Sequence, residues 1–149
     1  MDTTLTGKKG EPFELDVELG KVREFARAVK STNPDYTEGR HPVTPPTFLT
    51  STFHWELDVA GANPWNALNV DQKRGLHAEQ EYEFFGPPPR AGTRLTCQSF
   101  IEKIYEKQGR RGGTLTFAVM VTEFHDGSGR LVGRARMTGV ETAKNPDGG

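Results

Sequence analysis

Thr114-Leu115-Thr116-Phe117-Ala118-Val119-Met120-Val121-Thr122-Glu123-Phe124 leads through His125 into Asp126-Gly127-Ser128-Gly129, and a second patterned run follows over residues 130–141. Leu115, Phe117, Val119 and Val121 fall at every second position, the period of a strand whose side chains alternate between two faces. Asp126-Gly127 followed by Ser128-Gly129 is a strong hairpin signal. Beyond it Leu131, Ala135 and Met137 alternate with Val132, Arg134 and Arg136. The stretch reads as two antiparallel strands joined by a tight turn.

The same period extends upstream. Over residues 93–106, Leu95, Cys97, Ser99 and Ile101 share one side, and a Gly/Arg turn at 108–113 links them to the hairpin. From Leu76 onward, and most clearly over 78–85, Glu79, Glu81 and Glu83 alternate with Gln80, Tyr82 and Phe84, a strand with an acidic and an aromatic face. Nearer the start the period changes. Over 20–30, Val22, Phe25, Ala26 and Val29 sit at i, i+3, i+4 and i+7, one face of a helix. Asn33-Pro34 is expected to end it, because proline disfavours helical geometry in the residue before it. Phe13-Glu14-Leu15-Asp16-Val17 reads as a short strand with one wet face. Residues 31–46 form a proline-rich loop. Residues 47–59 mix apolar and β-branched side chains, and Pro45-Pro46 ahead of Thr47 favours a short buried helix. Residues 61–75 read as loop. Early helices followed by four antiparallel strands joined by hairpins make an α+β layout. A hot-dog arrangement, one antiparallel sheet wrapped around a central helix, fits this order.

The chain has 149 residues, with 19 Lys and Arg against 20 Asp and Glu. That length suits one domain, expected over residues 10–142, with disordered ends at 1–9 and 143–149. Near-neutral charge speaks against nucleic acid as a partner. No run approaches the roughly 20 apolar residues of a membrane span, and residues 1–10 lack the apolar core of a signal peptide. A soluble cytoplasmic protein is expected. Apolar content of only 34% beside 17 Gly and 10 Pro suggests extra burial against a partner chain.

Several motifs have plain explanations. Gly127-Ser128-Gly129 lies between strands with no helix after it, so it is a turn and not a dinucleotide loop. Neither a phosphate loop nor a nucleophile elbow occurs. His77-Ala78-Glu79 has zinc-deaminase spacing, but a single cysteine cannot complete that site, and no metal is expected. Cys97 alternates with Leu95 and Ser99, as a buried inert thiol does. His54 reads as a packing residue and His125 as solvated. The basic pairs Lys73-Arg74 and Arg110-Arg111 read as solubility features that could also meet coenzyme A phosphates or an acidic carrier.

Five stretches occur in a familiar order. They are Val22-Arg23-Glu24-Phe25-Ala26-Arg27-Ala28-Val29, Ser31-Thr32-Asn33-Pro34, Pro45-Pro46-Thr47-Phe48-Leu49, Leu76-His77-Ala78-Glu79-Gln80-Glu81-Tyr82-Glu83-Phe84, and Pro88-Pro89-Arg90-Ala91-Gly92-Thr93-Arg94-Leu95. Together, from Gly10 to Glu141, they resemble the N-terminal dehydratase domain of the MaoC-like (R)-specific enoyl-thioester hydratases. The resemblance implies a hot-dog fold, pairing with a second hot dog, no cofactor, and an acyl thioester substrate on coenzyme A or acyl-carrier protein.

Hydrating an enoyl thioester needs a group to deprotonate water, a proton donor, and backbone N–H groups for the enolate charge. Active members of the family use Asp-x-Asn-Pro-x-His after the first helix and an N–H at the start of the hot-dog helix. Here the loop keeps Asn33-Pro34, but Ser31 replaces the aspartate and Tyr36 the histidine. A tyrosine, with a reference pKa near 10, is a poor base at neutral pH. Proline at 45 and 46 has no N–H to offer, which leaves Thr47 or Phe48. The expectation is a non-catalytic subunit that shapes the acyl tunnel beside a partner carrying Asp-x-Asn-Pro-x-His. Pro46, Thr47, Phe48, Thr50 and Phe53 are expected to border the substrate, and His77, Glu79 and Gln80 to sit at the dimer seam or site mouth. Three alternatives stay open: a self-sufficient homodimer using His77 with Glu79 or Glu81, or Asp35 with His41; an acyl-binding scaffold; and a thioesterase using Glu56 on the central helix.

Overall fold

The computed structural model describes residues 1–110 and 112–143. Its elements in chain order are β1 (Phe13–Asp16), α1 (Leu19–Ala28), a 3-10 turn at Pro34–Tyr36, a second at Phe48–Thr52 that runs straight into α2 (Phe53–Glu56), a third at Pro64–Leu68, and then β2 (Gly75–Phe84), β3 (Arg94–Gln108), β4 (Thr114–His125) and β5 (Leu131–Glu141). The strands form one five-stranded sheet in the order β1-β3-β4-β5-β2, and every neighbouring pair is antiparallel. The α+β layout read from the periodicity is therefore present, with the stretch at 48–56 as the central helix of a hot dog.

The hairpin between β4 and β5 forms where Asp126-Gly127 places it. The Asp126 carboxylate accepts from the Ser128 backbone N–H at 3.0 Å, the Arg130 N–H at 3.1 Å and the Ser128 hydroxyl at 2.6 Å. Gly129 takes the left-handed conformation the turn needs, at φ 81°. Even-numbered β4 residues face the helices: Phe124 joins the main core and Ala118 a smaller one. The apolar stripe that decides the fold in the sequence, Phe117, Val119 and Val121, lies on the opposite face by alternation. There Val121, 1% exposed, sits in register between Phe100 and Arg136, and Arg136 is held by Glu81 and Glu102. Arginine stems cover apolar surface in this way.

The main core gathers Phe13, Leu15, Val17, Val22, Phe48, Leu49, Leu95, Cys97 and Phe124. Phe25 meets Phe48 edge-on, with centroids 5.6 Å apart. Cys97 is fully buried, and burial pushes its thiol far above the usual range, as expected of an inert core cysteine.

Three local readings change. Helix α1 stops at Ala28, before Asn33-Pro34 can act: Lys30 is left-handed at φ 56°, and the Lys30 and Ser31 N–H groups donate back to Arg27 and Ala26, at 2.9 Å each. This is a Schellman turn. Residues 61–75 are not all loop, because Asn63 caps the turn at Pro64–Leu68 through the Trp65 N–H. The start of the chain, read as frayed, lies along the sheet: Gly7 and Gly10 N–H groups donate to Ile101 and Ser99, and the Met1 amine donates to Glu141 at 3.0 Å. The expected tail beyond 143 falls outside the described residues, as does Arg111 of the second basic pair. In the other pair, Arg74 ion-pairs with Asp71 and Glu141 at 2.9 and 3.2 Å, a structural role.

Candidate functional site

A cavity of about 410 Å³ lies between the central helix and the helix-facing sides of β4 and β5, open toward β2. That volume falls within the range of small-molecule sites. Its buried wall is Leu49, Glu56, Thr122, Ala135, Gly139 and Val140; its exposed rim includes Thr50, Phe53, Gln72, Leu76, His77 and Gln80. Trp65, Val70, Met120 and Met137 complete an apolar lining. Gly139 makes room for Trp65: a Cβ at this position would stand 2.5 Å from the indole ring.

Of the candidates read from the sequence, Thr50, Phe53, Glu56, His77 and Gln80 line this cavity. Pro46 and Thr47 are exposed and outside it, Phe48 is taken up by the core, and Glu79 is absent from the lining. Trp65, Gln72, Met120 and Thr122 also line it and carry no sequence signal. Trp65 and Gln72 come from a stretch read as loop, and Met120 and Thr122 from the unmarked face of a strand. Only tertiary packing reveals them.

Glu56 is the most unusual member of the wall. It is 8% exposed, and burial raises its carboxyl above the ordinary range, with the Ser99 and Asn63 hydrogen bonds opposing that shift in part. Its Oε1 accepts from the Ser99 hydroxyl at 3.2 Å and its Oε2 from the Asn63 amide at 3.0 Å. Ser99 also meets the Thr122 hydroxyl at 2.8 Å.

The loop after α1 keeps a defined shape. The Asn33 side chain accepts from the Asp35 N–H at 3.0 Å and Ser31 Oγ accepts from the Asn33 N–H at 3.3 Å. Arg23 reaches from α1 to the Thr37 and Gly39 carbonyls, at 2.9 Å each. Ser31, Asp35, Tyr36 and His41 do not line the cavity. His41 Nδ1 meets the Ala91 carbonyl at 2.9 Å, and among the described residues neither His41 with Asp35 nor His77 with Glu79 or Glu81 is hydrogen-bonded. The Phe48 N–H, one of two groups left for an oxyanion, donates to the Pro45 carbonyl at 2.9 Å.

A five-stranded antiparallel sheet curled around a short helix, with a mixed cavity between them, defines a hot-dog protein. The family model described as "FAS1-like, dehydratase domain region" matches residues 4–135, and the chain belongs to that family. It is 35% identical over 118 residues to a UPF0336 protein of Streptomyces coelicolor, covering 73% of this chain and 77% of that one. Among solved structures, it is similar to the C-terminally truncated HadBC (3R-hydroxyacyl-ACP dehydratase) complex from Mycobacterium tuberculosis, with TM-score 0.74, 24% identity, and 94% of this chain and 99% of that chain covered. The ChsH1-ChsH2 complex from the same organism gives TM-score 0.70 at 14% identity, covering 93% of this chain and 88% of that one. The MaoC-like dehydratase resemblance read from the sequence agrees with both the family and these folds.

Proposed function

We propose that this chain is the substrate-holding subunit of a heteromeric (R)-specific enoyl-thioester hydratase/3-hydroxyacyl-thioester dehydratase. It acts in the cytoplasm on acyl-CoA or acyl-carrier-protein thioesters, beside a hot-dog partner that carries Asp-x-Asn-Pro-x-His. The observation that carries the reading is the loop after α1. Its Asn33-Pro34 turn is intact, yet Ser31 and Tyr36 stand at the acid and base positions and neither faces the cavity. Loss of the Phe48 N–H to Pro45 removes an oxyanion donor as well. Water activation therefore falls to the partner, the Thr47 N–H is the oxyanion donor left on this side, and this chain supplies the walls that hold the acyl group.

The sheet edge supports a partner. β1 has only four residues, and the bridge between Lys9 and Phe100 extends the cover along β3. At the other edge β2 runs for ten residues and, among the described residues, pairs with β5 alone, with Leu76 51% exposed beside the cavity mouth. A long open edge is a template for another strand. Both complexes similar to this chain are named as pairs of different subunits.

The test is to purify the chain and follow loss of short enoyl-CoA absorbance. No turnover alone, and turnover once an Asp/His-bearing hot-dog partner is added, is the expected result. Turnover by the isolated chain that His77→Ala abolishes would overturn the reading in favour of a self-sufficient homodimer. Binding with no hydration whatever the partner would instead leave an acyl-binding scaffold.

A further inference from the structure

We propose that Glu56 makes this chain select acyl groups carrying a hydrogen-bond donor, such as a hydroxyl on the tail, over plain alkyl chains of equal length. The inference deepens the acyl-thioester reading above and rests on it. Its basis is the polarity of the deep wall. An alkyl tail asks for an apolar end to its channel, and Trp65, Met120, Met137 and Val140 provide apolar sides. The buried wall nevertheless carries a carboxylate and a hydroxyl, Glu56 and Thr122.

The hydrogen-bond directions show what that wall lacks. Asn63 Nδ2 donates to Glu56 Oε2, while Asn63 Oδ1 accepts from the Trp65 N–H, so this amide is fixed in orientation. The Ser99 hydroxyl has one hydrogen and gives it to Glu56 Oε1. The contact between Ser99 and Thr122 must then be Thr122 donating. With its hydrogen directed at Ser99, Thr122 offers the cavity only lone pairs. A carboxylate has about four acceptor sites, and the protein fills two of Glu56's with Ser99 and Asn63. Among the described residues, no Lys, Arg or His ion-pairs with Glu56. Glu56 and Thr122 thus form an accepting wall, beside which the Asn63 amide, also in the lining, keeps its second N–H. A methylene placed against that wall strips water from acceptors and returns nothing, whereas a hydroxyl donates to them.

The experiment is calorimetric titration of the full chain at about pH 8 with two coenzyme A thioethers of matched length, one alkyl and one with a terminal hydroxyl. The wild type is expected to bind the hydroxylated ligand about tenfold more tightly, roughly the effect of one such hydrogen bond to a charged group. Glu56→Leu is expected to reverse the order. Glu56→Gln can keep both partners, with its oxygen toward Asn63 and its nitrogen toward Ser99, and is expected to bring the ratio toward one. Equal binding of the two ligands by the wild type, or an unchanged ratio in both variants, overturns the selectivity while leaving the acyl reading standing. Failure of every protein to bind either ligand overturns both.

Discussion

Ser99→Ala, made in the wild type and again in Glu56→Gln, measures how the charge on Glu56 is held. In the wild type above the carboxyl's raised range, the Ser99 hydroxyl donates to a buried carboxylate at 3.2 Å. Hydrogen bonds to charged groups contribute about 1.5–3 kcal/mol, and those between neutral groups about 0.5–1.5 kcal/mol. In the Glu56→Gln background the bond is neutral, so Ser99→Ala should cost about 1 kcal/mol more in the wild type. For 149 residues that difference is roughly 2–4 °C in melting temperature. Urea unfolding followed by Trp55 and Trp65 fluorescence reads it directly. The pH dependence carries a definite sign. A carboxyl raised on folding takes up protons in the native state, so its contribution to stability is largest below its ordinary value of 4.5 and falls as pH rises through the folded value. Glu56→Gln, which mimics the protonated acid, should flatten that fall and equal or exceed wild-type stability at the alkaline end. Equal costs of Ser99→Ala in the two backgrounds, or an unaltered pH profile in Glu56→Gln, would refute a charged Glu56 held by Ser99.

Gly139→Ala would place a methyl 2.5 Å from the Trp65 ring; we expect the indole to shift into the cavity, a changed Trp emission, and weaker binding of the alkyl thioether by calorimetry. Asp126, held by the Ser128 hydroxyl and then by the turn's N–H groups, should titrate near its lowered value of about 2, read from the carboxyl resonance by NMR. Its support of the hairpin is present above the ordinary value of 3.8 and lost as pH falls toward 2. Asp126→Ala should accordingly speed amide exchange at Ser128 and Arg130, and unchanged exchange would count against that role.

Period-two alternation marks four long strands, because a strand's side chains must alternate whatever it packs on, but it does not place them: a run of hairpins would set β2 beside β3, whereas β2 crosses over to pair with β5. The helix over 20–30 is legible for the parallel reason, but its end is not. A left-handed Lys30 closes it, and no glycine marks that turn. Alternation also cannot tell inside from outside: Val119 and Val121 are buried, yet on the face opposite the core, under charged neighbours from other strands. Phe48 sits in an apolar run suited to a channel, but Phe25 claims it for the core.

What stands in the loop after α1 is a matter of residue identity, so the sequence alone determined that Ser31 and Tyr36 bring neither a carboxylate nor an imidazole to those positions. Local patterning likewise marked the strands and the hairpins that join β3 to β4 and β4 to β5, while the place of β2 beside β5 was decided by tertiary pairing. The cavity and the acceptor wall at Glu56 were decided only in three dimensions. Ser99 lies 43 residues and Thr122 66 residues from Glu56 along the chain, Asn63 comes from a loop, and Gly139 is what lets Trp65 close the side. Sequence spacing encodes contacts between neighbours on one element; a hydrogen-bond chain built from four elements exists only once the sheet has closed around the helix.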